Sequence, residues 1–224
     1  MLRASSIRFA AACGAGLLAT ALSGAAMADD NVWVGAKAGT LGVGLEGTWR
    51  PVPYLDFRAG INAFSYDDER SEAGVDYDAS LDLQTLYATA NLRVPLSPFR
   101  ATVGLFSNGN EVNLVSRDSS TYTIGGTTYN ASDVGTLRGD VGFDSIAPYA
   151  GVGLDFRFID RVGVHLDAGV LFQGAPELSL TADGPIAGSA QFQSELAVEQ
   201  AELQAELDDF ELYPVVSLGI SVNF

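Results

Sequence analysis

The chain has 224 residues, of which 47% are hydrophobic and 18% charged, with 28 acids against 12 bases, 25 glycines and eight prolines. A net charge of −16 excludes an electrostatic nucleic-acid binder, and so large an apolar share excludes a charge-driven disordered chain. The glycines, 10% aromatics and Thr/Ser-rich connections indicate one β-domain rather than packed helices.

At the amino terminus, Arg3 and Arg8 precede the apolar run FAAACGAGLLATAL, and Ala26-Met27-Ala28 places small residues at both recognition positions before Asp29. Residues 1–28 therefore read as a cleaved secretory signal and 29–224 as the mature domain, with ten bases against 28 acids and no cysteine. The alternative, a lipoprotein signal cleaved before Cys13, has too short an apolar run in front of that cysteine. Nothing after Asp29 offers the roughly 18 to 20 consecutive apolar residues of a membrane helix.

Eight segments instead alternate between apolar and small or polar residues: roughly 31–38, 41–49, 54–66, 81–93, 101–115, 146–158, 161–173 and 213–224. The last, YPVVSLGISVNF, sets Pro214, Val216, Leu218, Ile220, Val222 and Phe224 on one face and Ser217, Gly219, Ser221 and Asn223 on the other. Lipid on one side and a polar lumen on the other produce that pattern. The connections at 50–53, 94–98 and 159–161 are tight, while 67–80, 116–145 and 174–212 are long. Trp49, Phe57, Phe156, Phe158 and Phe224 fall near the tight turns, where an interfacial girdle belongs. The predicted fold is all-β: an eight-stranded antiparallel up-and-down transmembrane β-barrel with long extracellular loops, the last containing an acidic helix. A secreted lipocalin-like barrel alternates too, but its solvated face would be the one carrying the many glycines.

The runs IAPYAGVGLDF, GVHLDAGVLFQGAPELSL and DDFELYPVVSLGISVNF, with the loop TYTIGGTTYNASDVGTLRGDVGFDS, resemble the ornithine-uptake porins of the CarO type and related small outer-membrane barrels. The resemblance covers about two thirds of the mature chain and is weakest in the first two strands. It implies an eight-stranded barrel linked to uptake of basic amino acids, with no catalytic motif and no binding residues to carry over.

Strand parity places Lys37, Glu46, Asp56, Arg58, Arg93, Asp155, Arg157, His165 and Asp167 inside the barrel, nearly balanced in sign. Eight strands enclose a space that side chains can fill, so a paired network closing the lumen is expected. Outside, the loop at 67–80 is acidic, and from Ser189, a candidate N-cap, the apolar spacing lengthens to about 3.6. Phe192, Leu196, Leu203, Leu207 and Phe210 then form a stripe, with Glu195, Glu199, Glu202, Glu206, Asp208, Asp209 and Glu211 around it, a candidate lid over the mouth. Two readings stand for these carboxylates, a solvated acidic face or a field that concentrates divalent cations or basic solutes at the mouth; no EF-hand spacing or other metal motif occurs and no cofactor is implied.

The functional expectation is a bacterial outer-membrane barrel, either a narrow porin for basic amino acids or other small solutes, or a non-channel structural or adhesive barrel with a filled lumen. The expected partners are outer-membrane lipid and lipopolysaccharide, the assembly machinery through the strand ending in Phe224, and small cationic or zwitterionic solutes; the protein is expected to be a monomer. Catalysis is not expected, because the single histidine, His165, falls inside the barrel and no nucleophile or phosphate-loop motif occurs.

Overall fold

The computed structural model describes residues 31–72, 75–117, 120–159 and 161–223. The expected signal segment 1–28 and Phe224 lie outside them, as do the side chains of 69–77.

Eight antiparallel strands close into a barrel: β1 (Val32–Gly39), β2 (Gly42–Val52), β3 (Leu55–Glu72), β4 (Val75–Arg93), β5 (Phe99–Asn108), β10 (Ile146–Ile159), β11 (Val162–Phe172) and β13 (Leu212–Asn223). Each pairs with the next, and β13 returns to β1 through Trp33↔Asn223 to Gly39↔Ser217. Alternation decides which face looks outward: Val216, Leu218 and Ile220 are exposed at 48–57%, whereas Val215 and Ser217, at the alternate positions, are buried. The apolar face therefore points out, as a membrane requires and a lipocalin forbids. Trp49, Phe57, Phe156 and Phe158 lie on that outer face, exposed. In the β4–β5 turn, Ser97 N–H donates to Val94 O and Leu96 has φ 59°, a type II turn after Pro95 with leucine where glycine is usual.

The long connections are more ordered than loops. β3 and β4, 18 and 19 residues long, exceed the roughly 9 to 11 that span a membrane and stay paired to Glu72↔Val75. The segment 67–80, expected as a loop, is thus mostly strand, because its charged residues extend a ladder already above the bilayer. Likewise the expected strand 101–115 breaks at Gly109-Asn110 into β5 and β6 (Glu111–Ser116). Across the break the register against β4 is unchanged, with the Asn110 side chain accepting Gln84 N–H. β9 (Leu137–Gly142) and β12 (Glu177–Ala182) complete a wall at the long-connection end of the barrel in the order β3-β4-β6-β9-β12.

β7 (Thr121–Ile124) and β8 (Thr127–Asn130) form the expected hairpin at Gly125-Gly126, whose φ values of 56° and 82° suit glycine, and α1 (Ala131–Val134) follows. α2 (Ala190–Leu207) begins where Ser189 accepts a hydrogen bond from Phe192 N–H. Phe192 and Leu196 bury against Tyr122, Ile124 and Val134, a second core separate from the barrel. Of the rest of the expected stripe, Leu207 is half-buried, whereas Leu203 at 37% and Phe210 at 61% stay exposed. The docked face continues instead through Gln200 and Gln204, which accept the Leu180 and Leu178 N–H groups at 3.2 and 2.9 Å. The neighbour there is the open edge of β12, and unpaired backbone needs hydrogen bonds rather than methyl groups. No described helix is long and apolar enough to cross a membrane.

Candidate functional site

The inward-facing charged residues sit at strand positions flanked by outward apolar or glycine residues, so the barrel's alternation stacks them in the lumen. Asp56, fully buried, receives Arg93 Nε at 2.6 Å, with Arg58 at 3.6 Å and Arg50 at 3.8 Å. Asp155 is shared by Arg93 at 2.8 Å and by Arg58 and Arg100 at 3.1 Å. Arg100 also binds Asp167, and its Nη1 donates to Asn91 Oδ1 and Thr102 Oγ1 at 3.1 Å. Arg100 lies over Gly153, where a Cβ would meet its guanidinium at 2.7 Å; the glycine makes the space that the arginine fills.

Glu46 accepts from Tyr87 O–H at 2.9 Å and lies 3.3 Å from His165 and 3.7 Å from Arg58. The histidine's carboxylate neighbour is therefore Glu46, across the lumen, rather than Asp167 on its own strand. Lys37 sits 3.9 Å above the Tyr87 ring. Above this layer Tyr87, Phe106 and Tyr149 pack with centroids 5.0 and 5.3 Å apart, joined by Leu41, Leu171 and Val215. A pocket of about 30 Å³, space on the order of one water, lies between the charged and aromatic layers.

Of the residues placed in the lumen from sequence, eight meet in this network, while Arg157 stands apart at the short-turn mouth, exposed and beside Trp33. Two arginines were missed. Arg100 falls one residue before the expected strand at 101, and Arg50 inside the expected turn 50–53; both strands run further, to Phe99 and Val52. Counting parity from Thr102 and Thr48 finds them. Among the described residues the lumen holds Lys37, Arg50, Arg58, Arg93, Arg100 and Arg157 against Glu46, Asp56, Asp155 and Asp167, six bases to four acids, with His165 beside them.

The acidic helix divides by role. Glu195 accepts Tyr129 O–H at 2.5 Å and Glu199 accepts Gly125 N–H at 3.0 Å, so both clamp the β7–β8 hairpin to α2. Glu202, Glu206, Asp208, Asp209 and Glu211 are exposed. Among the described residues no set of three His, Cys, Asp or Glu is placed to hold a metal ion.

Two wall carboxyls are held below the usual carboxylate range. Asp183 is lowered first by the Thr136 N–H at 2.7 Å and then by Arg138, and Glu195 first by the Tyr129 hydroxyl. With folded pKa values below unfolded ones, their stabilisation is present above about pH 4 and lost as pH falls through the folded values. Hydrogen exchange at the Thr136 amide, corrected for intrinsic rate, is expected to accelerate on going from pH 5 to pH 3 while strand amides of the barrel stay protected.

No protein-family profile matches the chain, and no curated protein matches it in sequence. Among solved structures, Acinetobacter baumannii CarO2 aligns with TM-score 0.57 at 23% identity, over 86% of this chain and 98% of its own. Acinetobacter baumannii CarO aligns with TM-score 0.55 at 20% identity, over 86% and 97%. The closed ring of eight strands and this likeness together identify the fold as that of the small outer-membrane barrels exemplified by the CarO proteins.

Proposed function

We propose that this protein is a bacterial outer-membrane barrel with a closed lumen, whose working surface is the extracellular wall built from β3, β4, β6, β9, β12 and α2. The observation that carries this reading is the double seal: a cross-paired charged layer beneath a packed aromatic layer, with a void of about 30 Å³ between them. A solute the size of an amino acid needs several buried ion pairs to part at once, and each broken pair leaves an uncompensated charge. The barrel sits as a monomer among outer-membrane lipid and lipopolysaccharide, delivered there through its carboxy-terminal strand.

The second reading, a narrow porin for basic amino acids, draws support from the acidic outer wall, whose field gathers cations at the mouth. The lumen opposes it, since a basic solute passing inward meets six bases and four acids. In planar bilayers, protein showing a heat-dependent gel shift is expected to give no steady conductance with or without ornithine or arginine. Discrete openings, or swelling of proteoliposomes in either amino acid, would establish the porin instead.

A further inference from the structure

The excess of base over acid in the lumen is not spread evenly. It collects at the short-turn end, where a vestibule of about 400 Å³ opens between the β4–β5 turn and the ends of β2 and β10. Trp33 lines it, and the guanidinium carbons of Arg50 and Arg157 lie 5.4 and 5.3 Å from the centre of its indole. Neither arginine has a carboxylate to itself among the described residues. Arg157 has no acid within ion-pair distance among the described residues, and the one acid within that distance of Arg50 among them, Asp56 at 3.8 Å, is already held by Arg93 at 2.6 Å. Asp155, the other carboxylate lining the vestibule, is shared among Arg58, Arg93 and Arg100. The Nε and Nη1 atoms of Arg50 and the Nε1 of Trp33 are buried without an acceptor.

We propose that this mouth is a binding site for a small soluble dianion, a dicarboxylate or a phosphate ester, held between Arg50 and Arg157 beside Trp33. Two surplus guanidinium groups call for two negative charges, and guanidinium pairs carboxylate or phosphate oxygens with two parallel donors. Partial enclosure by the strands strengthens that attraction over its value in open water. The ring of strands also selects the source of the anion: the vestibule lies inside the barrel, so a solute reaches it from the short-turn side while a lipid headgroup would have to leave the bilayer. The site does not require the lumen to be open or shut, so it stands apart from the closed-barrel reading.

The chain has two tryptophans, and Trp49 faces outward, so Trp49→Phe leaves Trp33 as the sole indole reporter. The folded barrel in detergent is titrated with inorganic phosphate and with succinate, ionic strength held constant with sodium chloride, by Trp33 emission and by calorimetry. Saturable binding of both anions is expected, with affinity lowered at least fivefold in Arg50→Gln and in Arg157→Gln, and largely kept in Arg157→Lys. Arg157 makes no ion pair among the described residues and is exposed, so its variants are expected to fold even if Arg50→Gln does not, and they then decide. A response no larger than that of chloride in both readouts, or Arg157→Gln titrating like its parent, overturns the proposal.

Discussion

Replacing Arg100 with alanine is expected to destabilise the barrel by about 3–5 kcal/mol, the usual cost of breaking a buried ion pair by removing one partner. Its side chain is 1% exposed and binds Asp155, Asp167, Asn91 and Thr102 at once. Without it, Asp155 keeps Arg58 and Arg93, but the nearest guanidinium nitrogen left to Asp167 is Arg58 Nη1 at 3.8 Å. Urea unfolding in lipid vesicles, followed by tryptophan emission, measures the loss. Adding Asp167→Asn to the alanine variant is expected to cost less than the two single changes summed, because the stranded charge is gone. Arg157→Ala, at the exposed mouth, is expected to stay within about 0.5 kcal/mol of the parent. Equal effects at positions 100 and 157 would remove the case for a cross-lumen network.

Phe192→Ala acts on the other core. This ring is 1% exposed, and Tyr129 meets it edge-on at 5.4 Å within the cluster that holds α2 and the β7–β8 hairpin. Truncating a fully buried aromatic costs about 3–5 kcal/mol, more than a small docked unit of this kind can absorb while staying docked. The expected result is cleavage of the segment between β12 and β13 by limited proteolysis, with rapid exchange of the α2 and β7 amides. The heat-dependent gel shift of the barrel is expected to persist, because the eight-stranded ring shares none of those contacts. Protection unchanged in α2 would show that the glutamine bonds to β12 hold the helix without the aromatic anchor.

The strands of the barrel were legible because lipid imposes a period of two on each of them: a residue such as Leu218 or Ser217 declares its side by its chemistry alone. Ser189, Gly125-Gly126 and the tight turns were legible for the same kind of local reason, since a cap, a left-handed pair of residues and a short connection each depend on a few neighbouring atoms. The wall at the long-connection end was not. Its residues carry no membrane-imposed alternation, and β6, β9 and β12 exist because β3 and β4 overrun the bilayer and offer an edge to pair with. The docked face of α2 turned from leucine to glutamine because its neighbour there is strand edge, a fact held by β12 and absent from the helix's own sequence. Parity could put charges into the lumen, but only the closed ring decided their partners, setting Glu46 against His165 and Arg100 between Asp155 and Asp167. Alternation is a property of one strand, whereas a cross-lumen pair depends on the height of two strands joined through all the registers between them.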